Sequence, residues 1–176
     1  MAQRLPAKTR EHLTRAGQLA RESLQEARRS VRALRPRALE EQDLCEALKA
    51  LIQKMTEGTG VQATFIAQGE PRELPLEWDE NLLHIGQEVL TNALRHSQAS
   101  QFNAQIAFGD GEIRLNLRDN GSGFDPAARH EGFGLQGMKE RVEGMGGQLA
   151  IQSSRGQGTA VSIVLPLANA IHAVEP

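Results

Sequence analysis

From Glu112 to Arg118 apolar residues occupy every second position, Ile113, Leu115 and Leu117, which predicts a strand with one face on the core. Counting on by twos lands on Asp119, so a carboxylate is expected on the core side at the strand's end. Gln101 to Phe108 reads as its hairpin partner, joined through Gly109-Asp110-Gly111. Glu77 to His96 is free of proline, and Leu82, Gly86, Val89, Leu90 and Ala93 fall on one face of a helix. His84, Glu88, Asn92 and His96, four apart, make a polar stripe at the border of that face, with Arg95 beside it. A border stripe can face a cleft while the apolar arc packs on a sheet.

Similar patterns predict a helix from about Glu40 to Met55, a strand Val61 to Gln68, a helix Leu135 to Met145 ended by Gly146-Gly147, and closing strands Gln148 to Ser153 and Ala160 to Leu165. The fold expected is an α/β (α+β) sandwich, a mixed sheet covered on one face by helices. A long N-terminal helix precedes it: Leu13, Ala16, Ala20, Leu24, Ala27, Val31 and Leu34 form the seam of a bundle helix, and Pro36 ends it. That seam needs a partner helix the chain does not contain. The organisation expected is 1–37 as an appended bundle helix, 38–168 as the main domain and 169–176 as a disordered tail.

Composition narrows the class. With 39% hydrophobic and 24% charged residues among 176, the chain reads as a soluble globular protein of one domain plus an appendage. The single Cys45 excludes an internal disulfide and a cysteine-rich zinc site, and fits a reducing cytoplasm. The net charge of −2 conceals an asymmetry, because ten basic and three acidic residues lie in 1–37. That basic helix lacks aromatic residues to stack bases, so its charge is read as a solvated face and no nucleic-acid partner is expected.

The candidate chemistry lies in four short motifs. Asp119-Asn120-Gly121-Ser122-Gly123 puts a core-side carboxylate before glycines that let the backbone approach a ligand, which suits a base carrying an exocyclic amino group. Glu88 and Asn92 offer the oxygen ligands and proton acceptors that a hard divalent cation and a reacting phosphate need. Gly132-Phe133-Gly134-Leu135-Gln136-Gly137 runs into a helix N-terminus, a candidate phosphate cradle. Gly156-Gln157-Gly158-Thr159, between two strands, reads by itself as a hairpin turn. Gly132, Gly134 and Gly137 match a dinucleotide fingerprint literally, but a polar loop rather than a strand precedes them and Gln152 stands near the place where that fingerprint wants an acid.

In this order the four motifs resemble the N box and three glycine boxes of the Bergerat-fold ATPases, which include histidine kinases, gyrase and heat-shock chaperone ATPase domains. The phrases from Gln87 to His96 and from Gly134 to Val142 resemble bacterial sensor histidine kinases of the nitrate-sensor-like subfamily, and Ala27 to Pro36 resembles the end of that subfamily's dimerisation domain. The resemblance implies an ATP-dependent protein histidine kinase with ATP and Mg²⁺ as cofactors. It implies that Asp119 accepts from the adenine amino group, that Asn92 ligates Mg²⁺, and that Arg95 or His96 offsets phosphate charge. Gly132 and Gly134 would hinge a lid beside Leu135, while Gly121, Gly123, Gly156, Gly158 and Thr159 shape the base pocket.

Glu88 is the implied catalytic residue. Its counterpart in water-cleaving relatives is a general base, whereas an imidazole nucleophile leaves it the orientation of Mg²⁺-bound water. The implied partners are the kinase's own phosphoacceptor dimerisation domain and a response regulator, with a homodimer at full length and a cytoplasmic location, free or as the cytoplasmic part of a membrane-bound sensor. The subfamily's acceptor His is followed by an acidic residue on the first dimerisation helix. His12 is followed by Leu13, and His130-Glu131 falls in the lid, so the acceptor is expected outside this chain. Two other readings stay open: a Ser/Thr kinase of the anti-sigma type on the same fold, and a non-catalytic ATP-binding dimerisation module.

Overall fold

The computed structural model describes residues 43–125 and 134–168. The expected N-terminal helix with its seam and His12, the segment carrying His130 and Gly132, and the tail from Asn169 lie outside the described residues.

Among the described residues three helices and five strands follow in the order α1 (Leu44–Thr56), β1 (Gln62–Gln68), α2 (Leu76–His96), β2 (Gln101–Phe108), β3 (Glu112–Asp119), α3 (Gly134–Gly144), β4 (Gln148–Ser153) and β5 (Thr159–Pro166). The strands form one sheet in the order β1-β2-β3-β5-β4. β1 and β2 are parallel and the other pairs antiparallel, so the sheet is mixed, as expected.

Strand parity decides which face is covered. On β3, Ile113, Leu115, Leu117 and Asp119 are buried while Arg114, Asn116 and Arg118 are exposed. Their partners on β2, Phe108, Ile106, Ala104 and Phe102, are buried as well. Against this face lie Leu82, Ile85, Val89, Leu90 and Ala93 of α2, Leu44, Leu48 and Ile52 of α1, and Met138 and Val142 of α3, in one core cluster. Gly86 lets α1 come close to α2, because a side chain there would stand 3.0 Å from Leu48 Cδ2. The opposite face is mostly polar and carries the cross-strand pairs Thr64 to Asn103 and Ser162 to Asn116.

Helix ends show where local chemistry sets the boundaries. α1 starts at Leu44 and not near Glu40, because the extended Asp43 is its N-cap and accepts a hydrogen bond from the Glu46 amide at 2.9 Å. α3 stops at Gly144, and Gly146, at φ +70°, donates to the Glu143 carbonyl while Gly147 donates to that of Val142.

Candidate functional site

Asp119 ends β3 with only 3% of its surface exposed. Its Oδ1 accepts from the Gly121 amide at 2.8 Å, and no donor among the described residues reaches Oδ2. A buried carboxylate oxygen without a donor is costly, so this atom is a ready acceptor for a ligand. Thr159 is its register partner on β5, and opposed residues of an antiparallel pair project to the same side of the sheet.

The glycines around Asp119 are required by close packing. A Cβ on Gly158, whose φ is +74°, would overlap the Asp119 carbonyl, and one on Gly123, at φ +58°, would overlap that of Ser154. Gly121 lies against Ser97 with no room for a side chain. Gly156, at φ +78°, has open space around it and donates to the Ser122 carbonyl at 2.6 Å. The turn after β3 and the β4–β5 turn are therefore pressed together backbone on backbone.

The second half of the site is on α2. Glu88 and Asn92 are half-buried, and Arg95 and His96 are exposed in the last turn. No hydrogen-bond partner for the Asn92 carboxamide occurs among the described residues, which leaves its oxygen available to a cation. Glu88 lies against Gly134, the first residue of α3, with Leu135 half-buried beside it. A carboxylate there faces the positive end of the helix. Among the described residues no three His, Cys, Asp or Glu side chains cluster as a protein-only metal site. A Mg²⁺ ion held by one or two side chains and the phosphates of a nucleotide fits this donor set.

Three residues that sequence reasoning missed brace the site: Ser97 and Asn120 tie the end of α2 and the segment after it to the turn after β3, and Ser153 ties that turn to the β4–β5 turn. Ser97, at the C-terminus of α2, donates from Oγ to the Ala93 carbonyl, and its own carbonyl accepts from the Ser122 amide. Asn120 Oδ1 accepts from the Ser100 and Gln101 amides, both at 2.9 Å, and its Nδ2 donates to Ser100 Oγ at 3.0 Å. These bonds brace a connection in which Gln98 adopts a left-handed φ of 52°. Ser153, at the end of β4, contacts the Phe124 amide, the Gly158 carbonyl and the Thr159 hydroxyl. The structure thus brings Asp119, Gly121, Gly123, Gly156, Gly158 and Thr159 together and sets Glu88 beside Gly134. Gly132 alone of the expected site residues lies outside the described ones.

Residues 79–169 match the family described as histidine kinase-, DNA gyrase B- and HSP90-like ATPases. The chain belongs to this family. Residues 1–39 match a second family, described as histidine kinase. The sensor histidine kinase LnrJ of Bacillus subtilis is 38% identical over 151 residues, 86% of this chain and 37% of that protein. The histidine-protein kinase/phosphatase DegS of Brevibacillus brevis is 35% identical over 150 residues, 85% of this chain and 39% of that protein. The chain spans well under half the length of these curated relatives. A solved histidine kinase domain from the Erythrobacter litoralis blue-light activated kinase superposes with a TM-score of 0.62 at 23% identity, over 76% of this chain and 69% of that one, which shows a shared fold.

These matches identify an ATP-binding catalytic domain of the bacterial two-component sensor histidine kinase type. Its mixed sheet under helices is the Bergerat fold, which generally binds ATP with Mg²⁺.

Proposed function

We propose that this chain binds Mg²⁺-ATP between Asp119 and the N-terminus of α3 and donates the γ-phosphoryl group to a histidine on a dimerisation domain, for relay to a response regulator. The observation that carries this reading is the buried Asp119, with Oδ1 held by Gly121 and Oδ2 left as an acceptor beside Thr159. An adenine amino group supplies the missing donor. Bound Mg²⁺ would neutralise phosphate charge, and Asn92 is the side chain we assign to hold it. Glu88, on α2 against the first residue of α3, would orient water on that ion, Arg95 or His96 would offset phosphate charge, and Gly132, Gly134 and Leu135 would border the phosphates. Catalysis is then positioning plus electrostatic stabilisation, since the nucleophilic imidazole comes from the acceptor domain.

The phrases Gln87 to His96 and Gly134 to Val142 support assignment to the nitrate-sensor-like subfamily. We divide the chain into 1–37, the last dimerisation helix, 38–168, the catalytic domain, and 169–176, a tail. The family match over 1–39 and the compact unit beginning at Gln42 support that division. We place the domain in the cytoplasm, where ATP and response regulators are found, and expect a homodimer at full length. No described helix is long and apolar enough to cross a membrane.

The test is incubation with labelled ATP, alone and with a dimerisation domain that carries an acceptor His. Acid-labile label on the added domain is expected, with negligible label on the chain alone. Label on His12 or His130 of the isolated chain would overturn the assignment of the acceptor to another segment.

A further inference from the structure

We propose that Ser153 is a positioning residue for base recognition, turning the Thr159 hydroxyl so that its lone pairs, and not its proton, face the base pocket. The proposal rests on the reading of Asp119 as the group that meets the base.

Ser153, Thr159 and Asp119 are successive register partners across β4, β5 and β3, so the three side chains stand in one row on the helix-covered side of the sheet. Ser153 Oγ has three contacts and one proton. The Phe124 amide, at 2.9 Å, can only donate to it. The Gly158 carbonyl, at 3.0 Å, can only accept, and takes the serine proton. The remaining contact, 3.1 Å to Thr159 Oγ1, is a hydrogen bond only if threonine is the donor.

In the arrangement that satisfies every partner, the proton chain therefore runs from Thr159 to Ser153 to the Gly158 carbonyl. Thr159 then offers only acceptor lone pairs to whatever lies beside Asp119. With Asp119 Oδ2 this makes an edge of two acceptors and no donor, which suits a base bearing an amino group and opposes one bearing a carbonyl at the same place. Without Ser153 the threonine proton is free to swing toward the pocket and meet a carbonyl.

The experiment measures Mg²⁺-ATP and Mg²⁺-GTP affinities of the full chain, by displacement of a fluorescent nucleotide, for the parent, Ser153→Ala and Ser153→Thr. In Ser153→Ala the ATP-to-GTP preference should narrow by about fivefold to tenfold, with GTP gaining relative to ATP, as one redirected hydrogen bond allows. Ser153→Thr keeps the hydroxyl and should return the ratio to within about twofold of the parent. If both affinities fall by the same factor, Ser153 merely supports the fold and the proposal is overturned. A parent protein without preference for ATP overturns the reading of Asp119 itself. Should Ser153→Ala not fold, Ser153→Cys keeps the shape and loses the strong acceptor, and an unchanged ratio there overturns the proposal equally.

Discussion

A methyl group on Gly134 would overlap Oε1 of Glu88, so the first residue of α3 is glycine where the carboxylate of α2 needs the space. The atom displaced is the end of a flexible side chain, so folding can tolerate Gly134→Ala while Glu88 moves away. Phosphotransfer to an added acceptor domain should fall by roughly tenfold or more, a loss typical of a misplaced catalytic group. Because the loss acts through Glu88, it should shrink sharply in a Glu88→Gln background. Equal losses in both backgrounds, measured by single-turnover kinetics, would show that the two residues act independently.

Asp119→Asn keeps an oxygen for the Gly121 amide but replaces the second acceptor by an NH₂ group. Two donors then face each other when adenine is present. Mg²⁺-ATP affinity should drop by roughly 10²-fold and GTP should no longer be disfavoured, as for unpaired polar groups in a buried site. Titration calorimetry with both nucleotides checks it, and unchanged ATP binding would remove Asp119 from base recognition.

Gly156 and Gly158 both have left-handed φ angles, +78° and +74°, yet alanine should affect them unequally. At Gly156 there is open space, so the cost is that of the backbone conformation alone, about 1–2 kcal/mol. At Gly158 the new methyl also meets the Asp119 carbonyl, so Gly158→Ala should be distinctly less stable and lose ATP binding as well. Urea unfolding of the two variants gives the comparison. Equal midpoints would show that the turn relaxes away from Asp119.

Burial pushes the Cys45 thiol up from its ordinary 9.0 to about 11, helped by Asp43, Asp79 and Glu46 nearby. Folding thus favours the protonated thiol. That contribution is fully present below about pH 9 and is lost as pH rises toward about 11. Cys45→Ser should flatten the decline in stability over that window, and Cys45 should react slowly with thiol reagents at neutral pH because little thiolate is present. Rapid labelling of the folded protein at pH 7.5 would contradict this.

The parity of β3 was legible because alternation over Ile113, Leu115 and Leu117 has one meaning, and it carried Asp119 to the buried side. Gln101–Phe108 and Gln148–Ser153 likewise have the bounds that their patterns predict. What stayed hidden depends on register between distant segments. Asn120 reaches Ser100 and Gln101 across 20 and 19 positions, and Ser153 reaches Phe124 across 29. Polar residues in turns carry no periodic signal, so nothing in their own neighbourhood says that they brace a pocket. The insertion of β5 between β3 and β4 was hidden for the same reason, since strand order is a matter of pairing and not of local pattern.

That insertion has a consequence for synthesis. β5 is made after the other four strands of the described sheet, yet it supplies Thr159 and carries the Gly158 turn against Asp119. A growing chain that has exposed everything through Ser153 has an unpaired β3 edge and half a base pocket. ATP therefore cannot act as a template for early folding. A nascent chain stalled before residue 159 should ignore the nucleotide, and competence to bind should arrive in one step once β5 clears the ribosome.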